Sequence, residues 1–314
     1  MPRLPFRGFI GGAYQARGVR LDQQRCINMY VELDQSGVGS SEAMLVSCPG
    51  LVAFATLPGA PVRALYTAAN GRVFAVGGAT LCEVLEGGTV TTRGTLSTST
   101  GMVMMSDDGT NLTLVDGPYG YVLNMTSLAF AQITDADWKP ATHCVYLDGY
   151  TLFNEAGTGR FFWSNLLDPA TIDSLNFATA EASPDPLVAM VVVHRELWLF
   201  GTRTTEIWFS SGDANSPFQR IQGALIDIGC VAPYSAIPYN DTVAWLAHDQ
   251  SGGAMVVAAQ GYQARRISTH AMETALGTEV PLASVVAWAY HMEGHRFYLL
   301  HAPTRDLTLV YDVA

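Results

Sequence analysis

Short apolar runs separated by turn residues recur along most of this 314-residue chain. The clearest example is residues 187–211, where apolar runs at 187–193, 197–200 and 207–209 are separated by two polar breaks. Runs of this length, rich in Val, Trp and Phe, are typical of strands rather than helices. Because successive side chains of the middle run are apolar on both faces, we expect a three-stranded antiparallel meander that is covered on both sides.

Similar units follow one another with a spacing of roughly forty to fifty residues, which is the range of propeller blades. Turn signals such as Asn70-Gly71 and Asp108-Gly109 lie between the apolar runs, and such pairs are strong hairpin signals. The sequence therefore predicts an all-β fold, a β-propeller of about six blades built from antiparallel four-stranded meanders. The predicted blades start near residues 62, 102, 143, 187, 235 and 285.

The last predicted blade shows three strand-like runs, so it needs one more strand to match the others. Residues 44–54 lie one strand ahead of the first full unit. We expect them to pair with the last blade and close the propeller. This divides the chain into an extended basic N-terminal arm, residues 1–41, and a β-propeller, residues 42–314.

Charge is distributed unevenly along the chain. The formal net charge is −11, which disfavours tight direct binding of nucleic acid because proteins that grip phosphates normally have basic surfaces. The first 25 residues carry a local charge of +4, which leaves −15 for the rest. A basic arm on an acidic body suits docking on an acidic neighbour, such as another copy of the chain. An ordinary solvated terminus explains the basic first 25 residues equally well. The candidate interface residues are Arg3, Arg7, Arg17, Arg20 and Arg25.

Compartment signals are few. The five cysteines are widely spaced and form no CxxC pair, so we expect reduced thiols and folding in a reducing cytoplasm. No run approaches the length of a membrane span, and residues 1–12 lack the apolar centre of a signal peptide. We therefore expect no membrane partner.

Candidate catalytic residues are equally sparse. His291 and His295 have the HxxxH spacing of a metal site, but they flank a turn between two strands. Glu181 and Asp185 could serve as paired carboxylates for glycoside hydrolysis, but they lie in a Pro-rich loop. The chain has no GxSxG elbow and no Gly-rich phosphate loop between a strand and a helix. We predict no catalytic residue, no cofactor and no metal, and hence no enzyme.

Several short motifs occur in the order of one known family. They are RCINMY at 25–30, CPGL at 48–51, FATAEASPD at 177–185, ELWLFG at 196–201, TEIWF at 205–209, IGCVA at 228–232 and RISTHAME at 266–273. The chain resembles the packaged-DNA stabilisation, or tail hub, proteins of short-tailed bacteriophages. The resemblance implies a head–tail connector component of the virion tail, made in the host bacterial cytoplasm. It also implies a homohexameric ring that contacts the portal–adaptor proteins and the tail needle or spike.

The leading interpretation is thus a virion structural protein that helps to retain packaged DNA until ejection. An acidic chain with Lys139 as its single lysine would repel phosphates, so such a hub would seal by its shape and its partners. Two alternatives stay open. A carbohydrate-binding or glycan-cleaving propeller would show acidic and aromatic side chains converging at one mouth of the central channel. A monomeric interaction scaffold would form no ring.

Overall fold

A computed structural model of the chain describes residues 14–15, 23–24, 26–34, 43–180, 183–213, 216–249, 252–277 and 281–313. Within these ranges the chain is almost entirely β, with a single α-helix, α1 (His270–Leu276). None of the helices in the described ranges is long and apolar enough to cross a membrane. Six sheets follow one another along the chain. The first five have four antiparallel strands and the last has three, which confirms the all-β propeller of six blades.

Two short ladders precede the blades, β1 (Tyr14–Gln15) with β2 (Gln23–Gln24) and β3 (Met29–Leu33) with β4 (Ala43–Ser47). The blades then use the following strands: β5 Val62–Thr67, β6 Val73–Gly77, β7 Thr80–Val84 and β8 Val90–Thr95 in the first; β9 Met104–Asp107, β10 Asn111–Val115, β11 Gly120–Asn124 and β12 Phe130–Gln132 in the second; β13 Cys144–Leu147, β14 Tyr150–Asn154, β15 Arg160–Asn165 and β16 Asp168–Thr179 in the third; β17 Leu187–Val193, β18 Glu196–Gly201, β19 Thr205–Ser210 and β20 Phe218–Ile226 in the fourth; β21 Ile237–Tyr239, β22 Thr242–His248, β23 Ala254–Ala259 and β24 Ala264–Arg266 in the fifth; and β25 Val286–Met292, β26 His295–Ala302 and β27 Leu307–Asp312 in the sixth. Each blade is a simple meander in chain order.

The fourth blade contains the predicted meander, and its two faces pack on different neighbours. Trp198 pairs with Ile207 on one face, and Leu197 pairs with Trp208 on the other. The Trp198 face joins the apolar core shared with the fifth blade. The Trp208 face joins the core shared with the third blade. Both tryptophans therefore pack between blades, which explains why the strand is apolar on both sides.

Five apolar clusters of this kind hold the blades together in sequence. They join the first blade to the second, the second to the third, the third to the fourth, the fourth to the fifth and the fifth to the sixth. The first strand of each blade lies beside the first strand of the next, so these strands surround the central channel. Each large side chain buried in such a junction contributes about 1.5–3 kcal/mol.

The prediction that residues 44–54 pair with the last blade is wrong. Strand β4 pairs with β3 instead, and among the described residues the sheet of the sixth blade has three strands. The Cys48 amide donates to the Asn28 carbonyl at 2.8 Å and extends this separate hairpin. Pairing of β4 with the nearby β3 closes a short loop, and the resulting hairpin packs on the face of the sixth blade instead of extending its edge.

The cysteines are all free thiols, as expected. Cys82, Cys144 and Cys230 are buried, and Cys26 and Cys48 are half-buried. Burial raises the pKa of the Cys230 thiol to about 12. The thiol therefore stays protonated and unreactive at neutral pH.

Candidate functional site

One mouth of the central channel is crossed by a turn from the fifth blade. The 3-10 turn Pro233–Ser235 precedes β21, and the Pro233 carbonyl lies 3.2 Å from Nε2 of His143, which precedes β13 in the third blade. The Tyr234 ring stacks on the His143 ring with centroids 5.2 Å apart. Burial lowers the pKa of His143 to about 4, so the imidazole is neutral at pH 7. The turn thus reaches from the fifth blade to the third as a packed element.

A buried arginine fixes the connection between the first two blades at the same end. Arg63 is 2% exposed, and its guanidinium donates five hydrogen bonds of 2.7–2.9 Å. Burial lowers the pKa of Arg63, and nearby Asp116 opposes this shift. The side chain is fully engaged within the fold. Its acceptors are the carbonyls of Gly78, Thr98, Thr100 and Gly101 and the Thr98 hydroxyl.

The opposite mouth holds an open cleft of about 320 Å³ beneath the hairpin turns of the fourth, fifth and sixth blades. Among its described lining residues, Asp241 is the single carboxylate, and it is paired with Arg296 at 3.2 Å. The aromatic side chain in the wall, Tyr239, is buried and donates its hydroxyl to the Arg296 carbonyl at 2.7 Å. These described lining residues therefore provide neither the paired carboxylates that glycan cleavage would use nor an exposed Tyr, Trp or Phe ring.

The other candidate catalytic residues also have structural partners. Asp185 accepts hydrogen bonds from the Arg203 and Thr204 amides and from the Thr204 hydroxyl, so it caps a turn of the fourth blade. Its proposed companion, Glu181, lies outside the described residues. The five candidate interface arginines also lie outside them, so their role stays a prediction: Arg3, Arg7, Arg17, Arg20 and Arg25. In the part of the chain that the structure describes, no three His, Cys, Asp or Glu residues are grouped to hold a metal ion.

His295 instead links the N-terminal hairpin to the last blade. Its Nε2 lies 2.7 Å from a Glu32 oxygen on β3, and its Nδ1 lies 2.6 Å from an Asp312 oxygen on β27. These hydrogen bonds, chiefly the one with Glu32, raise the pKa of His295. Beside it, the Tyr30 ring packs edge-on against Phe297 with centroids 5.5 Å apart. The hairpin is therefore clamped to the sixth blade by an aromatic contact and a carboxylate–imidazole–carboxylate bridge.

The hairpin lies on the face of the sixth blade that points away from the fifth. Tyr298 and Leu300 on β26 face the fifth blade, whereas Phe297 and Leu299 alternate with them and face the hairpin. In the described part of the chain, no apolar cluster joins this face to the first blade. The sixth and first blades therefore do not meet in the way that the other neighbouring blades do.

This junction exposes much apolar surface, and we call it the seam. On the sixth blade, Trp288 and Val310 both lie opposite Leu299 and on the same face, and each is more than two-fifths exposed. On the first blade, Leu65 is 72% exposed. Residues 51–57 form no strand, lie against Gly77 and Gly88 of the first blade through Leu57 and Phe54, and present three further exposed apolar side chains. They are Leu51, Val52 and Phe54.

Sequence reasoning missed the seam because its strands have the same alternation as those of every other blade. The segment that follows Pro49-Gly50 does carry a signal, since LVAFATL is apolar yet has neither the turn residues nor the neighbouring run that a hairpin requires. Without a strand partner the segment leaves its apolar side chains in solvent, and Leu51 is 103% exposed. Contiguous exposed apolar patches often mark interaction surfaces.

Comparisons with known proteins identify the fold and a family. The model of a family described as "Bacteriophage P22 Gp10, beta-propeller" matches residues 4–314. The tail hub protein gp10 of Salmonella phage P22 is 24% identical over 284 residues, which is 88% of this chain and 60% of that protein. This chain therefore spans less than two thirds of that relative. Among solved structures, the β-propeller domain of Cps50 (Swd1) from Myceliophteria thermophila is 8% identical with a TM-score of 0.55, over 81% of this chain and 84% of that one.

Proposed function

Because the chain belongs to the family described as "Bacteriophage P22 Gp10, beta-propeller", we propose that it is a structural component of a phage tail hub. In this role it links the portal–adaptor proteins to the tail needle or spike and helps to retain the packaged DNA. The match of the family model over residues 4–314 carries the proposal. The protein folds in the host cytoplasm, acts in the virion tail and catalyses no reaction.

The two channel mouths support a role without catalysis. One mouth is crossed by Pro233–Ser235, and the described cleft at the other lacks paired carboxylates. A mouth crossed by a packed turn leaves no path for a DNA duplex through the propeller. We place the DNA path at the centre of a ring of copies, outside the individual propellers.

Charge supports a seal that does not grip the genome. The net charge of −11 and the single lysine, Lys139, make the ring wall repel phosphates within about 10 Å at moderate salt. DNA can then slide during ejection once a plug is withdrawn. The basic first 25 residues provide a contact with an acidic neighbouring copy, and the ring has six copies.

The test is a nonsense mutation in the gene for this chain within the phage that carries it. We expect heads that fill with DNA, lack the needle or spike in negative-stain micrographs, and lose nuclease protection of their genome. Expression of the chain in trans restores all three properties. Particles with complete tails and a fully protected genome would overturn the proposal.

A second test addresses the seal. The purified chain should show weak binding of free duplex DNA at 50 mM salt, because it lacks the basic surface that produces counterion release. Tight binding that falls steeply between 50 and 200 mM salt would contradict a seal that works by shape and partners.

A further inference from the structure

The contact between the N-terminal hairpin and the last blade is built around one buried histidine. The His295 side chain is 5% exposed, and its two ring nitrogens lie 2.7 Å from a Glu32 oxygen and 2.6 Å from an Asp312 oxygen. A neutral imidazole has one N–H donor and one bare nitrogen, whereas an imidazolium has two donors. Only the protonated ring can therefore donate to both carboxylates.

The groups around His295 do not offer either carboxylate another cation. The neighbouring bases, His291 and Arg296, lie opposite each other in the ladder of β25 and β26, on the other face of the sheet. The groups on the His295 side come from the hairpin, the turn before β26, and strands β25 and β27, and all of them are neutral or anionic. They are Tyr30, Glu32, Cys48, Tyr290, Glu293 and Asp312.

Loss of the proton from His295 breaks the bridge on the side of the hairpin. With a neutral ring, one carboxylate faces a nitrogen lone pair at hydrogen-bond distance, which is repulsive. Asp312 belongs to the ladder of the blade, opposite Phe297. Glu32 is 41% exposed and can turn to water. Glu32 is therefore the carboxylate that leaves, and it belongs to β3 of the hairpin.

The hairpin can leave the blade without unfolding it. Strand β3 pairs with β4 alone among the described strands, and Tyr30 is the one buried side chain that the hairpin adds to the cluster with Phe297 and Leu299. The sixth blade keeps its three paired strands and its core with the fifth blade whether or not the hairpin is docked. An isolated two-stranded hairpin is marginally stable in water, so its order depends on docking.

We propose that the hairpin is a pH-operated latch, docked on the last blade while His295 is protonated and released as a unit when the ring loses its proton. The hydrogen bond with Glu32, together with that of Asp312, outweighs burial and raises the pKa of His295. Docking is then complete below about pH 6.5 and is lost as the pH rises through the raised pKa. Release exposes Phe297 and Leu299. The latch does not depend on the proposed tail hub role.

The first test compares the full chain with His295→Gln, whose side chain does not titrate. Hydrogen exchange followed by mass spectrometry, corrected for intrinsic rates, gives the protection of residues 29–33 and 43–47 between pH 6 and pH 9, with β18 as an internal reference. At pH 6 we expect the variant hairpin to be at least about tenfold less protected, because a hydrogen bond to a charged group is lost. At pH 9 the two chains should differ little. Any pH dependence left in the variant belongs to the other groups around position 295.

A second variant keeps the test decisive if His295→Gln does not fold. Glu32→Gln changes a partly exposed side chain and should lower protection of the hairpin at pH 6. At pH 9 it should dock at least as well as the unaltered chain, because its amide can donate to the bare nitrogen of the neutral ring. Glu293→Gln is the matched control. The Tyr30 hydroxyl, which donates to Glu293 at 3.2 Å, can donate to the amide oxygen instead, so this variant should follow the unaltered chain at both pH values.

Three results would overturn the latch. One is equal pH dependence of hairpin protection in the unaltered chain and in His295→Gln. Another is a loss of protection in Glu32→Gln that has the same size at pH 6 and pH 9, which would indicate a structural contact that does not depend on the charge of His295. The third is a loss of protection in β18 together with the hairpin, because release would then be part of unfolding of the propeller.

Discussion

Replacement of Arg63 gives the strongest single test of how the first two blades are joined. Its guanidinium is buried and donates to four backbone carbonyls and one hydroxyl between residues 78 and 101. Arg63→Met keeps much of the apolar stem and removes every donor. Arg63→Lys keeps the charge but replaces a planar five-donor fork by one ammonium group with three donors.

The magnitude follows from the acceptors left behind. A buried acceptor without its donor costs about 1–3 kcal/mol. Some of the carbonyls around Arg63 are only partly buried and can turn to water, which lowers the total. We therefore expect Arg63→Met to reduce the free energy of unfolding by about 3–5 kcal/mol, as when one partner of a buried charged network is removed. For Arg63→Lys, with fewer donors lost, we expect about 1–3 kcal/mol.

Urea titration followed by tryptophan fluorescence measures both variants against the unaltered chain. Arg195→Met provides the control, because the Arg195 side chain is 79% exposed and its partner is a single carboxylate, Asp148, at 2.8 Å. A loss below about 1 kcal/mol for Arg63→Met would refute the reasoning. It would mean that water replaces the guanidinium without penalty and that the connection is held by other contacts.

Three smaller predictions concern the hairpin and the fourth blade. Hydrogen bonds with Glu32 and Asp312 raise the pKa of His295, so docking of the hairpin should be complete below about pH 6.5 and weaken as the pH rises through that raised pKa. Hydrogen exchange of residues 29–33, corrected for intrinsic rates, should therefore show less protection at pH 9 than at pH 6. Equal protection at the two pH values would contradict this prediction. Tyr30→Ala should weaken docking by about 2–4 kcal/mol and speed proteolysis between residues 29 and 47 without a comparable loss of blade stability; unchanged cleavage would count against the clamp. Asp185→Ala should lower thermal stability by about 1–2 kcal/mol through the lost cap, and an unaltered melting temperature would argue against that role.

The blades could be predicted because their local and tertiary requirements agree. Along β18 every residue from Leu197 to Phe200 is apolar, and stacking between two neighbouring sheets is the arrangement that buries both faces of such a strand. The turn residues add independent evidence. Gly71 adopts φ 81° and Asp148 adopts φ 49°, conformations that glycine and aspartate tolerate and that tight hairpins need.

The hairpin on the last blade could not be placed from sequence in the same way. Strand β4 is apolar enough to pair with β27 or with β3, and periodicity does not state which edge a strand chooses. The decision depends on loop closure and on a bridge between Glu32 and His295, which lie 263 residues apart in the chain. Neither residue carries a local signal for the other. A single sequence therefore indicates that an extra strand exists but not whether it adds to a sheet edge or covers a sheet face.

That difference has a consequence for the surface that the last blade exposes. A strand added to the edge of the last blade would have left its sheet able to pack directly against the first blade, as the other blades do. The hairpin instead covers the Phe297 end of the sheet face, and the Trp288 end stays exposed. Burying this surface is favourable by about 25 cal/mol per Å², and within one copy no described residue does so. The way in which the N-terminal hairpin docks on the last blade thus decides which part of that blade's apolar face stays exposed.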